Sequence, residues 1–172
     1  MLLSAGGWEA SLRPDVGGCL SGLSVGGLPV LRAMDIDSDD PLQSACFPMV
    51  PFCNRIEQGR FAFAGHEVTL SRNMGDHPHP LHGLGWLRPW RVIRHDKGSA
   101  LLEDDYGGNG EWPWPYRAHQ HIALDETGAT IRLMVENRSD EPAPLGVGLH
   151  PYFRRSKEPK VAFAARAMLG ID

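Results

Sequence analysis

The clearest pattern of apolar and polar positions in the chain is a strict alternation over Tyr116–Leu124. One face of this segment is apolar and the other is polar: Tyr116, Ala118, Ile122 and Leu124 against Arg117, His119 and His121. The alternation returns over residues 129–135, after turn residues at 125–128. Because successive side chains of a strand point to opposite faces of a sheet, the pattern predicts an antiparallel hairpin.

Turn residues divide the rest of the chain into short segments. The sequence holds 20 glycines and 14 prolines, which leaves almost no room for long helices. Further strands are predicted at residues 8–12, 19–25, 28–34, 90–94, 100–104 and 145–150, with a hairpin inside 54–70. No repeat, linker or low-complexity segment is present. We therefore expect a mostly β, antiparallel fold in one domain over residues 1–172.

Composition and charge exclude several classes of protein. Apolar residues make up 42% and charged residues 22%, as in globular domains. The net charge is −4 with no basic run, so we expect neither a nucleic acid nor a membrane as partner. The first ten residues lack the features of a signal peptide. The odd number of cysteines favours reduced thiols and a cytoplasmic location: Cys19, Cys46 and Cys53.

The chemically richest segment is NMGDHPHPLHGLGW at residues 73–86. His77, His79 and His82 lie within it between prolines and glycines, a composition that favours a shaped loop over a helix. Imidazole titrates near neutrality and is also the commonest metal ligand. The cluster therefore predicts either acid/base chemistry or a metal site.

The metal alternative depends on His77-x-His79, which resembles the first metal-binding motif of the cupin barrels. Those barrels add a glutamate a few positions later, where this chain has Gly83 and Leu84. A metal site would thus lack its carboxylate ligand, and we predict that no metal is bound.

A second resemblance covers most of the chain. Its blocks are Asn54-Arg55-Ile56 followed by Gly59 and Phe61, Leu81-His82-Gly83, Trp90, and His150-Pro151-Tyr152-Phe153. In this order they resemble the aldose 1-epimerase (galactose mutarotase) family. The resemblance implies a galactose mutarotase-like antiparallel β-sandwich, an isomerase of carbohydrate metabolism, and a free hexose as the small-molecule partner.

The same resemblance implies a role for each matching residue. His150 is the expected general acid at the ring oxygen of the sugar, and His82 the histidine that bonds the substrate beside it. Arg55 and Asn54 are expected to bind the substrate, with Arg55 holding a sugar hydroxyl. Interconversion of anomers requires a positioned acid and base and no cofactor.

Other aromatic and imidazole side chains have two open interpretations. Trp112 and Trp114 either stack on the sugar as substrate-binding residues or pack in the core. His77 and His79 are expected on the loop surface, and His119 and His121 on a solvated strand face.

The chain also departs from the family pattern. In the family the base is a glutamate in a later part of the chain, and members are considerably longer. No residue after His150 matches that glutamate, so we expect the N-terminal portion of the fold, incomplete at its C-terminal end. Three explanations are open: a shortened sequence, completion of the site by a second chain, or an in-chain substitute for the base such as Glu111 or Asp76. An incomplete sandwich exposes sheet edges and favours self-association.

Two alternatives to the enzyme remain open. A non-catalytic carbohydrate-binding module would keep Arg55, His82 and His150 for recognition alone. A cupin-like metal-binding barrel is the other alternative.

Overall fold

Short antiparallel strands dominate the computed structural model, which describes residues 1–108, 110, 112–155, 157–160, 162 and 164. The strands are β1 Leu2–Ala5, β2 Trp8–Arg13, β3 Cys19–Val25, β4 Leu28–Pro29, β5 Cys46–Met49, β6 Arg60–Phe63, β7 His66–Thr69, β8 Arg91–His95, β9 Ser99–Tyr106, β10 Tyr116–Leu124, β11 Ala129–Asn137 and β12 Gly148–Pro151. Single 3-10 turns occur at Pro41–Gln43, Glu57–Gly59 and Gly85–Leu87. None of the helices in the described residues has the length and apolar character needed to cross a membrane.

The strands form three antiparallel sheets. The largest has six strands, in the order β1-β2-β3-β5-β12, with β4 paired to β3. The second has the order β11-β10-β9-β8, and the third is the hairpin of β6 and β7. Strand β12 comes late in the chain yet pairs with β5, which brings distant parts of the sequence side by side.

One continuous core joins the six-stranded and four-stranded sheets. The first contributes residues such as Leu3, Leu12 and Leu20, and the second contributes Leu102 and Ile122, all fully buried. These are the apolar positions of the alternating strands, so burying them is the main favourable contribution to folding. The prediction of a mostly β, antiparallel sandwich is confirmed.

The hairpin of β10 and β11 matches its prediction closely. Strand β10 has the predicted bounds, and β11 continues two residues beyond position 135. On β10 every second residue is buried, from Tyr116 to Leu124. Strict alternation fixes both the type and the register of a half-buried strand, because a shift of one residue would expose the whole apolar face.

The strand predicted at residues 28–34 is wrong in length. Strand β4 ends at Pro29, and Leu31 instead bridges Phe153 beyond β12. The amide of Arg32 donates to the carbonyl of Tyr152 at 2.9 Å. The backbone of this segment therefore changes partner, which apolar spacing cannot reveal.

Strands β1 and β5 were not predicted, and the hairpin of β6 and β7 fills only residues 60–69 of the predicted segment 54–70. Residues 54–59 instead form a bend and a 3-10 turn. The sequence also indicates the beginning of a further element over residues 160–169, but this segment lies outside the described residues, apart from positions 160, 162 and 164.

Candidate functional site

The loop that carries His82 has an unusual backbone at its centre. His82 has φ 59° and Gly83 has φ 73°, both in the left-handed region. A Cβ on Gly83 would lie 2.0 Å from the carbonyl oxygen of Val50, so only glycine fits there. A non-glycine residue in this region costs roughly 1–3 kcal/mol, and the contacts around His82 must therefore hold it in place.

The segment after β5 supplies the first of these contacts. The amide of His82 donates to the carbonyl of Asn54 at 2.8 Å, and the amide of Asn54 donates to Nδ1 of His82 at 3.2 Å. Arg55 forms an antiparallel bridge with Leu81. The Asn-Arg-Ile and Leu-His-Gly blocks are thus joined backbone to backbone.

His150 reaches the same place from β12. It is paired in register with Phe47 of β5, and its ring stacks on that of Phe47 with centroids 4.7 Å apart and an interplanar angle of 11°. The rings of His82 and His150 lie 5.3 Å apart at 74°. Two histidines that are remote in sequence therefore form one imidazole pair, defined here as His82 and His150.

The two members of the imidazole pair differ in environment. Burial, followed by the charges of His150, Arg55 and His77, lowers the pKa of His82 to about 4. His82 is therefore neutral at pH 7. Because its Nδ1 accepts the Asn54 amide, the proton of the neutral ring lies on Nε2, which is left to donate to a ligand.

One ring nitrogen of His150 has no hydrogen-bond partner among the described residues. This atom is Nδ1, which is buried. The residue as a whole remains partly exposed. Nε2 is consequently the ring nitrogen available to a ligand.

The polar rim of the imidazole pair contains a free cation. Arg55 and Asn54 are exposed, and the Arg55 guanidinium forms no hydrogen bond or ion pair within the described part of the chain. Within the same residues, no carboxylate is hydrogen-bonded to or ion-paired with either histidine. Asp76 is exposed in a turn, and Glu111 lies outside the described residues.

Trp112 and Trp114 lie in the core, where the structure favours packing over sugar stacking. They are 2% and 1% exposed. Trp112 packs on Phe52 and Phe61 at 5.7 and 5.9 Å, and Trp114 lies 5.6 Å from Phe63. With their rings covered by the β6–β7 hairpin, neither offers a face to a sugar, and this part of the predicted site is corrected.

The remaining histidines of the loop support its backbone. Nδ1 of His79 accepts the amide of Gln58 at 2.9 Å, and Nδ1 of His77 lies 2.8 Å from the carbonyl of His79. The hydrogen-bond partners of both imidazoles are therefore backbone groups. No group of three or more His, Cys, Asp or Glu side chains in the described residues is arranged to hold a metal ion.

Sequence reasoning missed the aromatic support of the imidazole pair. Phe47 is fully buried, and its ring lies 5.8 Å from that of His82 as well as against His150. The ring centroid of Tyr152 lies 4.8 Å from that of His150. The guanidinium carbon of Arg32 lies 3.6 Å from the centroid of the Tyr152 ring. Tyr152 lies within the HPYF block, whereas nothing in the sequence marked Phe47, because β5 was not recognised.

The three antiparallel sheets and the loop carrying His82 define a galactose mutarotase-like β-sandwich. The profile of the family described as aldose 1-epimerase matches residues 3–169. The chain therefore belongs to the aldose 1-epimerase family.

One sequence relative and two solved structures illustrate the relationship. The protein YphB, described as uncharacterized, is 34% identical over 156 residues, which cover 89% of this chain and 52% of YphB. A solved structure described as a candidate aldose 1-epimerase of Escherichia coli K12 has a TM-score of 0.81 and 34% identity, over 88% of this chain and 50% of its own. A galactose mutarotase-like protein of Clostridium acetobutylicum has a TM-score of 0.75 and 26% identity, over 87% and 49%. The chain thus spans about half the length of the relatives it matches.

Proposed function

We propose that this protein binds a free hexose at the imidazole pair and promotes interconversion of its α and β anomers. The observation that carries the proposal is the convergence of His82 and His150, with ring centroids 5.3 Å apart. Family membership and the unpaired guanidinium of Arg55 support it. The three unbridged cysteines are consistent with a reducing compartment, and we place the reaction in the cytoplasm.

The chemistry assigns a different task to each group. His150 gives its proton to the ring oxygen while the bond between that oxygen and the anomeric carbon breaks. The anomeric hydroxyl loses its proton to a base and becomes the carbonyl of the open aldehyde. Rotation of the aldehyde and the reverse proton transfers then close the ring on its other face. Acid/base groups in such roles each contribute about 10²–10⁴-fold.

The other polar groups hold the sugar. Neutral His82 donates from Nε2 to a sugar oxygen beside His150, and Arg55 and Asn54 bind hydroxyls at the exposed rim. The base is a carboxylate, for which Asp76 and Glu111 are the candidates within this chain.

One observation favours a second candidate function. No carboxylate contacts the imidazole pair within the described residues, and recognition of a sugar needs no base. A non-catalytic carbohydrate-binding protein that uses Arg55, His82 and His150 is therefore the alternative.

Polarimetry of freshly dissolved α-D-glucose and α-D-galactose separates the two functions. The enzyme should accelerate mutarotation, and His150→Gln should lower the acceleration by about 10²-fold or more. His121→Gln, on the outer face of β10, is the matched control and should leave the rate unchanged. Saturable binding in an NMR titration without acceleration would support the carbohydrate-binding alternative. Absence of both binding and acceleration would contradict both functions.

A further inference from the structure

The side chain of Asn73 spans the residues on both sides of His82. Its Oδ1 accepts the amide of Leu81 at 2.7 Å, and its Nδ2 donates to the carbonyls of Leu81 and Gly83, each at 2.8 Å. Three hydrogen bonds from one half-buried amide therefore fix the chain immediately before and after His82.

Trp86 completes the arrangement from the core. Its Nε1 donates to the same two carbonyls, at 3.2 Å for Leu81 and 3.1 Å for Gly83. Its ring is 2% exposed and packs on Phe47 with centroids 5.5 Å apart. Each carbonyl thus accepts two hydrogen bonds, one from Asn73 and one from Trp86, which occupy both of its lone pairs. The peptide groups on both sides of His82 are therefore held in their present orientation.

We propose that Asn73 is a positioning residue that holds His82 in the left-handed conformation and thereby in the Nε2–H tautomer. The link is geometric, because in this backbone conformation Nδ1 of His82 lies 3.2 Å from the amide nitrogen of Asn54. If the loop relaxed, Nδ1 would lose its donor and the tautomer would no longer be fixed. Only the effect on sugar binding rests on the proposed function.

The amide group at position 73 cannot be replaced without loss. An aspartate keeps the acceptor for the Leu81 amide but loses both donors and directs a negative charge at two carbonyl oxygens. An alanine loses all three hydrogen bonds. All three hydrogen bonds of the Asn73 side chain go to the backbone of Leu81 and Gly83, so its effect should pass through His82.

The test compares Asn73→Asp with Asn137→Asp. Asn137 also clamps a turn, with Nδ2 donating to the carbonyl of Glu141 at 2.7 Å and Oδ1 accepting the amide of Ser139 at 3.0 Å. Its turn lies beyond β11, and neither Glu141 nor Ser139 belongs to the proposed site. The control therefore removes the same kind of amide clamp without touching the loop that carries His82.

The main measurement is ¹⁵N NMR of the imidazole nitrogens at pH 7, which reports the tautomer without any sugar. We expect Asn73→Asp to turn the single Nε2–H form of His82 into a mixture, and the pKa of His82 to rise from about 4. The affinity for galactose should fall by about tenfold, an effect equivalent to one hydrogen bond. Asn137→Asp should change none of these quantities.

Two results would overturn the inference. One is a folded Asn73→Asp protein in which His82 keeps its tautomer and its pKa. The other comes from the unmodified chain, where deuterium exchange should show a protected Leu81 amide, and rapid exchange would mean that Asn73 does not hold it. The second measurement decides the question if the variant fails to fold. A chain that binds no sugar would contradict the proposed function and leave both measurements valid.

Discussion

The two imidazoles of the site are chemically alike, but their neighbours differ. His82 accepts a backbone amide at Nδ1 and lies among His150, Arg55 and His77, so burial and positive charge both oppose its protonation. His150 has an unpartnered Nδ1 and no backbone donor fixing its tautomer among the described residues. The proposed function assigns proton transfer to His150 and hydrogen-bond donation to His82, and these surroundings support that division.

The protonation of His82 yields a prediction about pH. Its folded pKa of about 4 lies below the ordinary 6.5, so between these values the unfolded chain binds a proton that the folded chain does not. The free energy of unfolding should therefore fall as pH decreases through this window, and His82→Gln should flatten the dependence. Urea unfolding at several pH values checks the slope. NMR titration of the wild-type ring, assigned with the same variant, would contradict the prediction if its midpoint fell near 6.5.

At the scale of single residues, the sequence marks the groups that belong to short linear blocks. Asn54, Arg55, His82 and His150 were all named from such blocks, and the structure brings them together. Phe47 reaches the site through contacts across the fold, from a strand that no linear pattern indicates. Asn73 lies in the histidine-rich segment of residues 73–86, but the composition of that segment does not indicate its hydrogen bonds to Leu81 and Gly83. The burial of Trp112 and Trp114 depends on the β6–β7 hairpin lying over them, which their spacing does not indicate.

At the scale of elements, prediction succeeded where one strand carries its own alternating pattern. Strand β10 is the best example, because its buried and exposed faces are decided by its own residues. Strand β5 contains Pro48 and is buried on both sides at Cys46 and Phe47, so it shows no alternation. Strand β5 is recognised as a strand by its pairing with β3 and β12, and this pairing is visible only in three dimensions.

The polar face of the four-stranded sheet contains an ion cluster that links three strands around one buried carboxylate. Glu103 on β9 is 6% exposed and lies opposite Arg91 on β8 and His119 on β10. It accepts from Arg91 at 2.5 Å and lies 2.9 Å from Nε2 of His119. The hydrogen bond from Arg91, with help from His119 and Arg117, lowers the pKa of Glu103 despite its burial. His119 was expected to be solvated and instead has this carboxylate partner.

Glu103→Gln should lower the free energy of unfolding at pH 7 by about 1–3 kcal/mol, because it leaves charged partners without their carboxylate. The stabilising contribution of Glu103 is present above its unfolded pKa of 4.5 and is lost as pH falls through the lower folded value. The difference between variant and wild type should thus vanish in acid, as measured by urea unfolding from pH 7 to pH 3.

Asp105→Asn is the control on the same sheet. Asp105 pairs with Arg117 at 2.7 Å, but its side chain is 49% exposed. Its loss should change stability by about 1 kcal/mol or less. Equal effects of the two substitutions would contradict the special role of Glu103.

At the scale of the whole molecule, one end of the six-stranded sheet has an apolar surface that no other described residue covers. Strand β12 is the last in the order of that sheet and, within the described residues, pairs on one side only. Phe153 beside it is 71% exposed. Together with Leu31, Leu149 and Ile131 it lines a groove between the two main sheets. An unpaired edge next to an apolar groove is a template for association.

We expect a second copy of the chain to cover this surface, pairing along β12 and burying Phe153. Sedimentation velocity over a range of concentrations should show a dimer whose fraction rises with concentration. Phe153→Ser removes an exposed ring at little cost to the core and should shift the protein to the monomer. Ile36→Ser is the matched control, because Ile36 is 86% exposed among the acidic residues 35–40, and it does not line the groove beside β12. A wild-type protein that stays monomeric at all concentrations, or a dimer that both variants weaken equally, would contradict association through β12. A dimer lost only in Phe153→Ser would support association through β12.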